Sequence, residues 1–155
     1  SELLLYTTLV HIGNQEYKVA KKYISNAIID HNIKYLPLMR TIRLVRLIVF
    51  YEVQEHELIQ YESRSITRSL SSPKEQTFKT ERIILWFLNK RNIPILKKDR
   101  EAFWEKLSPE IHELYNNKYE SQLLRLFDFT AWMESKIRKE KLSEVLRART
   151  SAKEC

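Results

Sequence analysis

Two segments begin with the residue pair that opens a zinc-protease helix. "HELIQ" (His56–Gln60) and "HELYN" (His112–Asn116) both start with His-Glu. In that motif a second histidine, four residues after the first, binds the metal from the same helix face, and the glutamate acts as general base. Gln60 and Asn116 occupy the position of the second histidine. We therefore expect neither segment to bind a metal, and we expect no cofactor.

Serine is the other residue type here that could serve as a catalyst. Serines are frequent between residues 63 and 72, but a serine nucleophile needs a base and an orienting acid held beside it. The sequence nominates no such trio. Its single glycine, Gly13, also excludes a glycine-rich phosphate loop and a Gly-x-Ser-x-Gly turn. These patterns favour a protein that is not an enzyme.

Three arginines at helical spacing form a candidate binding stripe. Arg40, Arg43 and Arg46 step by three residues along one segment. The stripe could bind an acidic partner. It could equally be a solvated face whose arginine stems cover apolar neighbours, or whose charges pair with Glu62 on the following helix. We favour the solvated face.

Two tryptophans each have a charged residue four positions before them and another four positions after them. The two sets are Arg82, Trp86 and Lys90, and Asp128, Trp132 and Lys136. Such a stripe could pack against a neighbouring helical hairpin, bind a partner protein through cation–π contacts, or stack on single-stranded nucleic acid. On a continuous helix over 123–139, Trp132 projects from the charged side, opposite the apolar face. We favour packing, because an inner helix of a solenoid contacts both neighbouring hairpins and so has a second apolar position opposite its main face.

The composition favours helices. A chain of 155 residues corresponds to one domain, and one glycine with four prolines leaves few residues for tight β-hairpin turns. The net charge of +7 permits contact with nucleic acid but is spread along the chain. The single cysteine, Cys155, allows no internal disulfide, so a cytoplasmic location is the default. No apolar run is long enough for a membrane span, and the missing initiator methionine suggests an excised segment.

Apolar periodicity and capping signals predict about seven helices. Gly13-Asn14 can end the first helix, Pro37 suits the start of the third, and Ser72 with Glu75 forms a capping box for the fifth. Glu134 falls inside the apolar arc of the last helix, so we expect it to find an arginine or lysine on an earlier helix, or to lie where that face becomes exposed. The predicted organisation is one helical-repeat domain over 1–148, with hairpins at about 2–30, 37–71 and 73–116, a terminal helix over 118–145, and a charged tail over 149–155.

Two segments of the chain resemble each other. "QEYKVAKKYISNAI" aligns with "QEHELIQYESRSI" when Gln15 is placed on Gln54. Each segment is the second helix of a predicted hairpin. Repeated helical hairpins that bury one face on their neighbours form an α-solenoid.

The first hairpin resembles a tetratricopeptide repeat. Tyr17, Ala20, Ile24 and Ala27 reproduce the aromatic, small, bulky and small series of that family's second helix. The first helix departs from the family pattern, and no proline closes the repeat near Asn32. The rest of the chain resembles the terminal helical region of uncharacterised bacterial repeat proteins of this type. The resemblance implies a scaffold that binds a peptide or protein in a groove.

Composition, repeat and resemblance together predict an all-α solenoid of about seven helices. We expect it to act as a non-enzymatic protein or peptide interaction module and to be part of a longer protein. The alternative is a nucleic-acid-binding helical repeat that uses the basic and aromatic stripes. The partner-binding candidates on the concave side of the solenoid are Tyr6, Arg43, Arg46, Arg82 and Trp86.

Overall fold

The computed structural model describes residues 1–30, 32, 36–70, 79–89 and 93–154. Its regular elements in those ranges are all helices, so the all-α prediction is confirmed. The described ranges contain nine helices rather than the seven expected. They are α1 (Glu2–Gly13), α2 (Tyr17–Ser25), α3 (Pro37–Glu52), α4 (His56–Leu70), α5 (Lys79–Asn89), α6 (Lys97–Asn116), α7 (Lys118–Leu126), α8 (Phe129–Arg138) and α9 (Leu142–Glu154).

The chain divides into two compact units, Ser1–Glu81 (unit 1) and Arg82–Cys155 (unit 2). Unit 1 contains α1 to α4 and the first turn of α5. Unit 2 contains the remainder of α5 and the helices α6 to α9. The predicted capping box at Ser72 and Glu75 lies outside the described residues.

Successive helices pack together in unit 1. Helix α2 packs against both α1 and α3, and α3 packs against α4. Because short turns join α1 to α2 and α3 to α4, each pair is an antiparallel hairpin. Helix α3 is the most buried helix of unit 1, with eleven of its sixteen residues inside, so it forms the centre of the core of that unit.

The two hairpin turns of unit 1 have the same backbone structure. Gln15 and Gln54, which align in the sequence, both adopt a left-handed conformation, with φ of 61° and 60°. In each turn the amide of the next residue donates to the carbonyl five positions earlier, at 2.8 Å after Gln15 and at 2.9 Å after Gln54. Both turns are therefore Schellman motifs. The predicted alignment of Gln15 with Gln54 is thus matched by the backbone at these turns.

The predicted terminal helix over 118–145 is wrong, because the structure divides it into α7, α8 and α9. The Asp128 side chain accepts a hydrogen bond from the Ala131 amide and starts a new helix at Phe129. Lys139 then adopts φ of 55° and ends α8. A capping carboxylate and a left-handed residue stop a helix even where the apolar pattern continues, so periodicity missed both breaks.

The break at Asp128 changes the surroundings of Trp132. Eight of the ten residues of α8 are buried, so this helix has no charged side of the kind a continuous helix would give it. The Trp132 indole is fully buried and meets the Phe87 ring edge to face, with the ring centres 5.7 Å apart. The packing interpretation of Trp132 is confirmed, although the continuous helix over 123–139 that placed it on a charged side is wrong.

Helix α9 continues through most of the predicted charged tail. It runs to Glu154 and buries Val145. Helix α6 is likewise continuous through Pro109, which the sequence left as either a kink or a new start. In the part of the chain that the structure describes, no helix combines the length and apolarity needed to cross a bilayer.

Candidate protein interaction surfaces

The predicted arginine stripe on α3 lies inside unit 1. The side chains of Arg40 and Glu81 are 4% and 5% exposed, and the guanidinium donates two hydrogen bonds to the carboxylate, each 2.7 Å long. This is the bidentate geometry in which arginine binds a carboxylate most strongly. The expectation of a solvated face is therefore wrong for Arg40 and Arg43, which are both buried, whereas the expected pairing with Glu62 is confirmed for Arg46.

Two of the proposed partner-binding arginines bind other parts of unit 1. Arg43 donates to the Ser69 hydroxyl on α4 at 3.1 Å. Arg46 donates to the Glu62 carboxylate at 3.2 Å, which is the pairing considered from the sequence. A second nitrogen of Arg46 donates to the carbonyl of Ala27, just beyond the end of α2. These contacts join α2, α3 and α4 and give both arginines a role inside the fold.

Tyr6 belongs to an exposed apolar surface on α1. Leu3, Tyr6 and Val10 are spaced at i, i+3 and i+7, which places them on one side of the helix. Their exposed fractions are 78%, 46% and 62%. We call these three residues the α1 face.

The opposite side of α1 supplies the core of unit 1. Leu5, Thr8 and Ile12 are buried there. A helix that is apolar on two sides is normally covered on both, and contiguous exposed apolar residues mark interaction sites. Tyr6 was predicted from the sequence as a binding residue, whereas Leu3 and Val10 were not. Their i, i+3, i+7 spacing on the side away from Leu5 and Ile12 is the signal that could have identified them.

Arg82 and Trp86 lie on the surface of unit 2. Trp86 is 45% exposed, and its ring is nearly parallel to that of Phe103, with centres 6.3 Å apart. Arg82 is exposed one helical turn earlier on α5. We call Arg82, Trp86 and Phe103 the Trp86 platform. It presents an aromatic face beside a positive charge, as a base-stacking or peptide-binding site would.

A cleft of about 510 Å³ lies beside the two equivalent turns of unit 1. It is lined by residues 15–19 and 52–54. Burial raises the pKa of Tyr17 in its wall to about 12, and the nearby Glu52 carboxylate contributes to the same rise. Tyr17 is therefore protonated at neutral pH and supplies a hydroxyl rather than a base.

Arg149 organises a polar cluster in unit 2. Its guanidinium donates to Asp128 at 3.0 Å, to Thr130 at 2.7 Å and to Glu134 at 2.7 Å, and lies 5.9 Å from the ring centre of Trp104. Burial opposes the charge on Arg149, but the two carboxylates outweigh it and raise its pKa. The cluster attaches α9 to α8.

Glu134 is buried and paired, as its position in the apolar arc required. Its carboxylate accepts hydrogen bonds from Arg138, one turn later on α8, and from Arg149 on α9. The expected pairing is confirmed, but the expectation that the partner lies on an earlier helix is wrong. The partners come from its own helix and a later one, because the break after Arg138 lets α9 fold back onto α8.

Neither possible metal ligands in the described ranges nor comparisons with known proteins suggest a function. Within the described ranges, no three histidine, cysteine, aspartate or glutamate side chains are grouped to hold a metal ion. The His112 ring contacts the Ser108 carbonyl at 2.7 Å within α6. No protein-family model, curated protein or solved structure matches the chain. The α1 face and the Trp86 platform are the candidate surfaces on which a functional proposal can be based.

Proposed function

We propose that this protein is a non-enzymatic protein interaction module, an α-solenoid with a tetratricopeptide-like start and part of a longer protein, and that the α1 face binds its partner. The observation that carries the proposal is the exposure of Leu3, Tyr6 and Val10 along one side of α1, opposite a fully buried side.

Covering the apolar surface of this face would supply part of the free energy that specific binding requires. Covering one large apolar side chain completely contributes about 1.5–3 kcal/mol. Leu3 and Val10 have most of their surface available, and Tyr6 has almost half. An aromatic ring flanked by two aliphatic side chains also resembles the small apolar centres that dominate binding energy at protein interfaces. The α1 face therefore suits the apolar side of a protein partner.

Affinity capture with charged variants tests the proposal. The variant Leu3→Glu, Val10→Glu places two carboxylates on the α1 face. Its matched control, Gln60→Glu with Thr67→Glu, adds the same charge at exposed positions of α4 in the same unit. We expect proteins captured by the native chain and by the control to be lost with the α1 variant. Equal capture by all three chains would refute the α1 face as the binding surface.

The Trp86 platform supports a second candidate function, binding of single-stranded nucleic acid. An exposed tryptophan stacked on Phe103 one turn from Arg82 offers a stacking surface and a phosphate contact. Phosphate contacts release counterions, so binding must weaken steeply as salt increases. Titration with a fluorescent single-stranded oligonucleotide at two salt concentrations, with Trp86→Ala as the variant, tests it. Absence of binding at low salt would exclude this function.

A further inference from the structure

The two hairpins of unit 1 differ in the burial of equivalent apolar surfaces. The matching turns set the register between the hairpins, in which Gln15 corresponds to Gln54. In that register the residues of the α1 face correspond to Ile42, Val45 and Val49 on α3. The three α3 residues are fully buried, whereas Leu3, Tyr6 and Val10 are 78%, 46% and 62% exposed. The same apolar surface is thus covered in the second hairpin and uncovered in the first.

The preceding hairpin covers this surface of α3. Helix α3 packs against α2 and, less extensively, against α1. Arg46 lies one turn from both Ile42 and Val49 on the same side of α3, and its guanidinium donates to the carbonyls of Ile24 and Ala27 at the end of α2. Arg46 also donates to Glu62 on α4, so it lies between α2 and α4. Because α3 packs against α2 and Arg46 bonds the end of α2, we infer that α2 covers the side of α3 that carries Ile42, Val45 and Val49.

We propose that the α1 face docks an amphipathic helical hairpin of the same repeat type, whose second helix covers α1 as α2 covers α3. The proposal rests on the proposed function and names the class of partner. Docking extends the interface already formed between α2 and α3 by one repeat in the direction of α1.

The α1 face also limits the chemistry of the docked helix. Thr7 occupies the position that corresponds to Arg46, and its hydroxyl donates to the Leu3 carbonyl at 2.9 Å within α1. Residue 7 cannot supply the guanidinium that Arg46 gives to the carbonyls at the end of α2. The last carbonyls of the docked helix therefore bond water or groups of its own chain, and docking depends on the apolar side chains that it presents to Leu3, Tyr6 and Val10.

A tandem protein tests this partner class with the full chain intact. A copy of residues 1–39 is joined directly before Ser1, so that the added hairpin precedes the first one by the same spacing that separates Gln15 from Gln54. The added copy carries Tyr6→Phe, so only the native Tyr6 is observed at that position. We expect chemical nitration of the native Tyr6 to be at least fivefold slower in the tandem protein than in the original chain. We also expect trypsin to cleave the added segment slowly.

The control is a tandem protein in which the native α1 carries Leu3→Glu and Val10→Glu. We expect its native Tyr6 to react at the rate of the original chain and its added segment to be cleaved rapidly. Unchanged Tyr6 reactivity in the first tandem protein would overturn the proposal, as would protection that persists in the control. Either result would leave the capture experiment above unaffected, so failure of the partner class is distinguishable from failure of the interaction function.

Light scattering of the original chain tests the competing occupant. A dimer that Leu3→Glu, Val10→Glu abolishes would assign the α1 face to a second copy and overturn the proposal. A mass that is independent of concentration and the same for both chains is the expected result.

Discussion

The ion pair between Arg40 and Glu81 allows a quantitative test of how α3 is held in unit 1. Both side chains are almost fully buried, and two hydrogen bonds of 2.7 Å join them. At a charge separation of about 4 Å and an effective dielectric constant of about 20, the attraction is about 4 kcal/mol. Removing one partner leaves the other charge buried, which typically costs about 3–5 kcal/mol. We expect Glu81→Leu and Arg40→Met each to destabilise the protein by that amount.

The double variant Arg40→Met, Glu81→Leu separates the attraction from the cost of burying charge. Replacing a buried ion pair by apolar residues of similar volume is often neutral or stabilising. We therefore expect the double variant to be within about 1 kcal/mol of the native chain or more stable than it. A large loss of stability for each single change, with little or no loss for the double change, is the result that the burial of this pair predicts.

Urea unfolding followed by circular dichroism at 222 nm measures these changes. Glu55→Gln is the matched control, because Glu55 binds Lys21 in the same unit but both side chains are about a third or more exposed. An exposed pair contributes at most about 1 kcal/mol, so this variant should unfold close to the native midpoint. Single variants that cost less than the control, or a double variant that costs as much as the two singles together, would refute the reasoning.

Four further predictions concern the polar cluster, two helix ends and the titration of two tyrosines. Arg149→Met should release α9 and accelerate its hydrogen exchange about tenfold or more, which corresponds to a loss of about 1.4 kcal/mol in the free energy of opening. Unchanged exchange would contradict the assigned contacts. Gln54→Gly should raise thermal stability by about 0.5–1 kcal/mol, because glycine removes the steric strain of a left-handed backbone conformation. Gly13→Ala should raise it by a similar amount, because alanine favours the helix and its Cβ meets no atom within 4 Å. Burial raises the pKa values of Tyr17 and Tyr115 to about 12. The unfolded chain therefore loses these protons at lower pH than the folded chain, and the stability of the fold should decrease between pH 10 and 12. Absorbance at 295 nm should show late-titrating tyrosines, and a single step near pH 10 would contradict this.

The helices of unit 1 were largely predictable because their start and stop signals are local. Pro37 begins α3 as expected, and the turns at Gln15 and Gln54, which align in the sequence, share one backbone conformation. The end of α2 was less predictable. The helix stops at Ser25, although apolar residues continue to Ile29. Apolar periodicity shows which side of a segment is buried but not where its backbone leaves the helix.

The candidate site was predicted less well, because exposure depends on contacts between distant segments. Tyr6 and Trp86 are on the surface, whereas Arg43 and Arg46 bind Ser69 and Glu62 inside unit 1. The sequence of a helix does not show whether one of its arginines faces solvent or a carboxylate on the next helix.

The sequence by itself determined the helical class and the register that aligns Gln15 with Gln54, since glycine content, caps and apolar spacing act within a few turns of chain. Tertiary structure decided the helix breaks around α8, the partners of the buried arginines and the exposure of the α1 face. The same apolar spacing is covered on α3 and open on α1, because covering depends on whether another hairpin packs beside the helix and not on the helix itself.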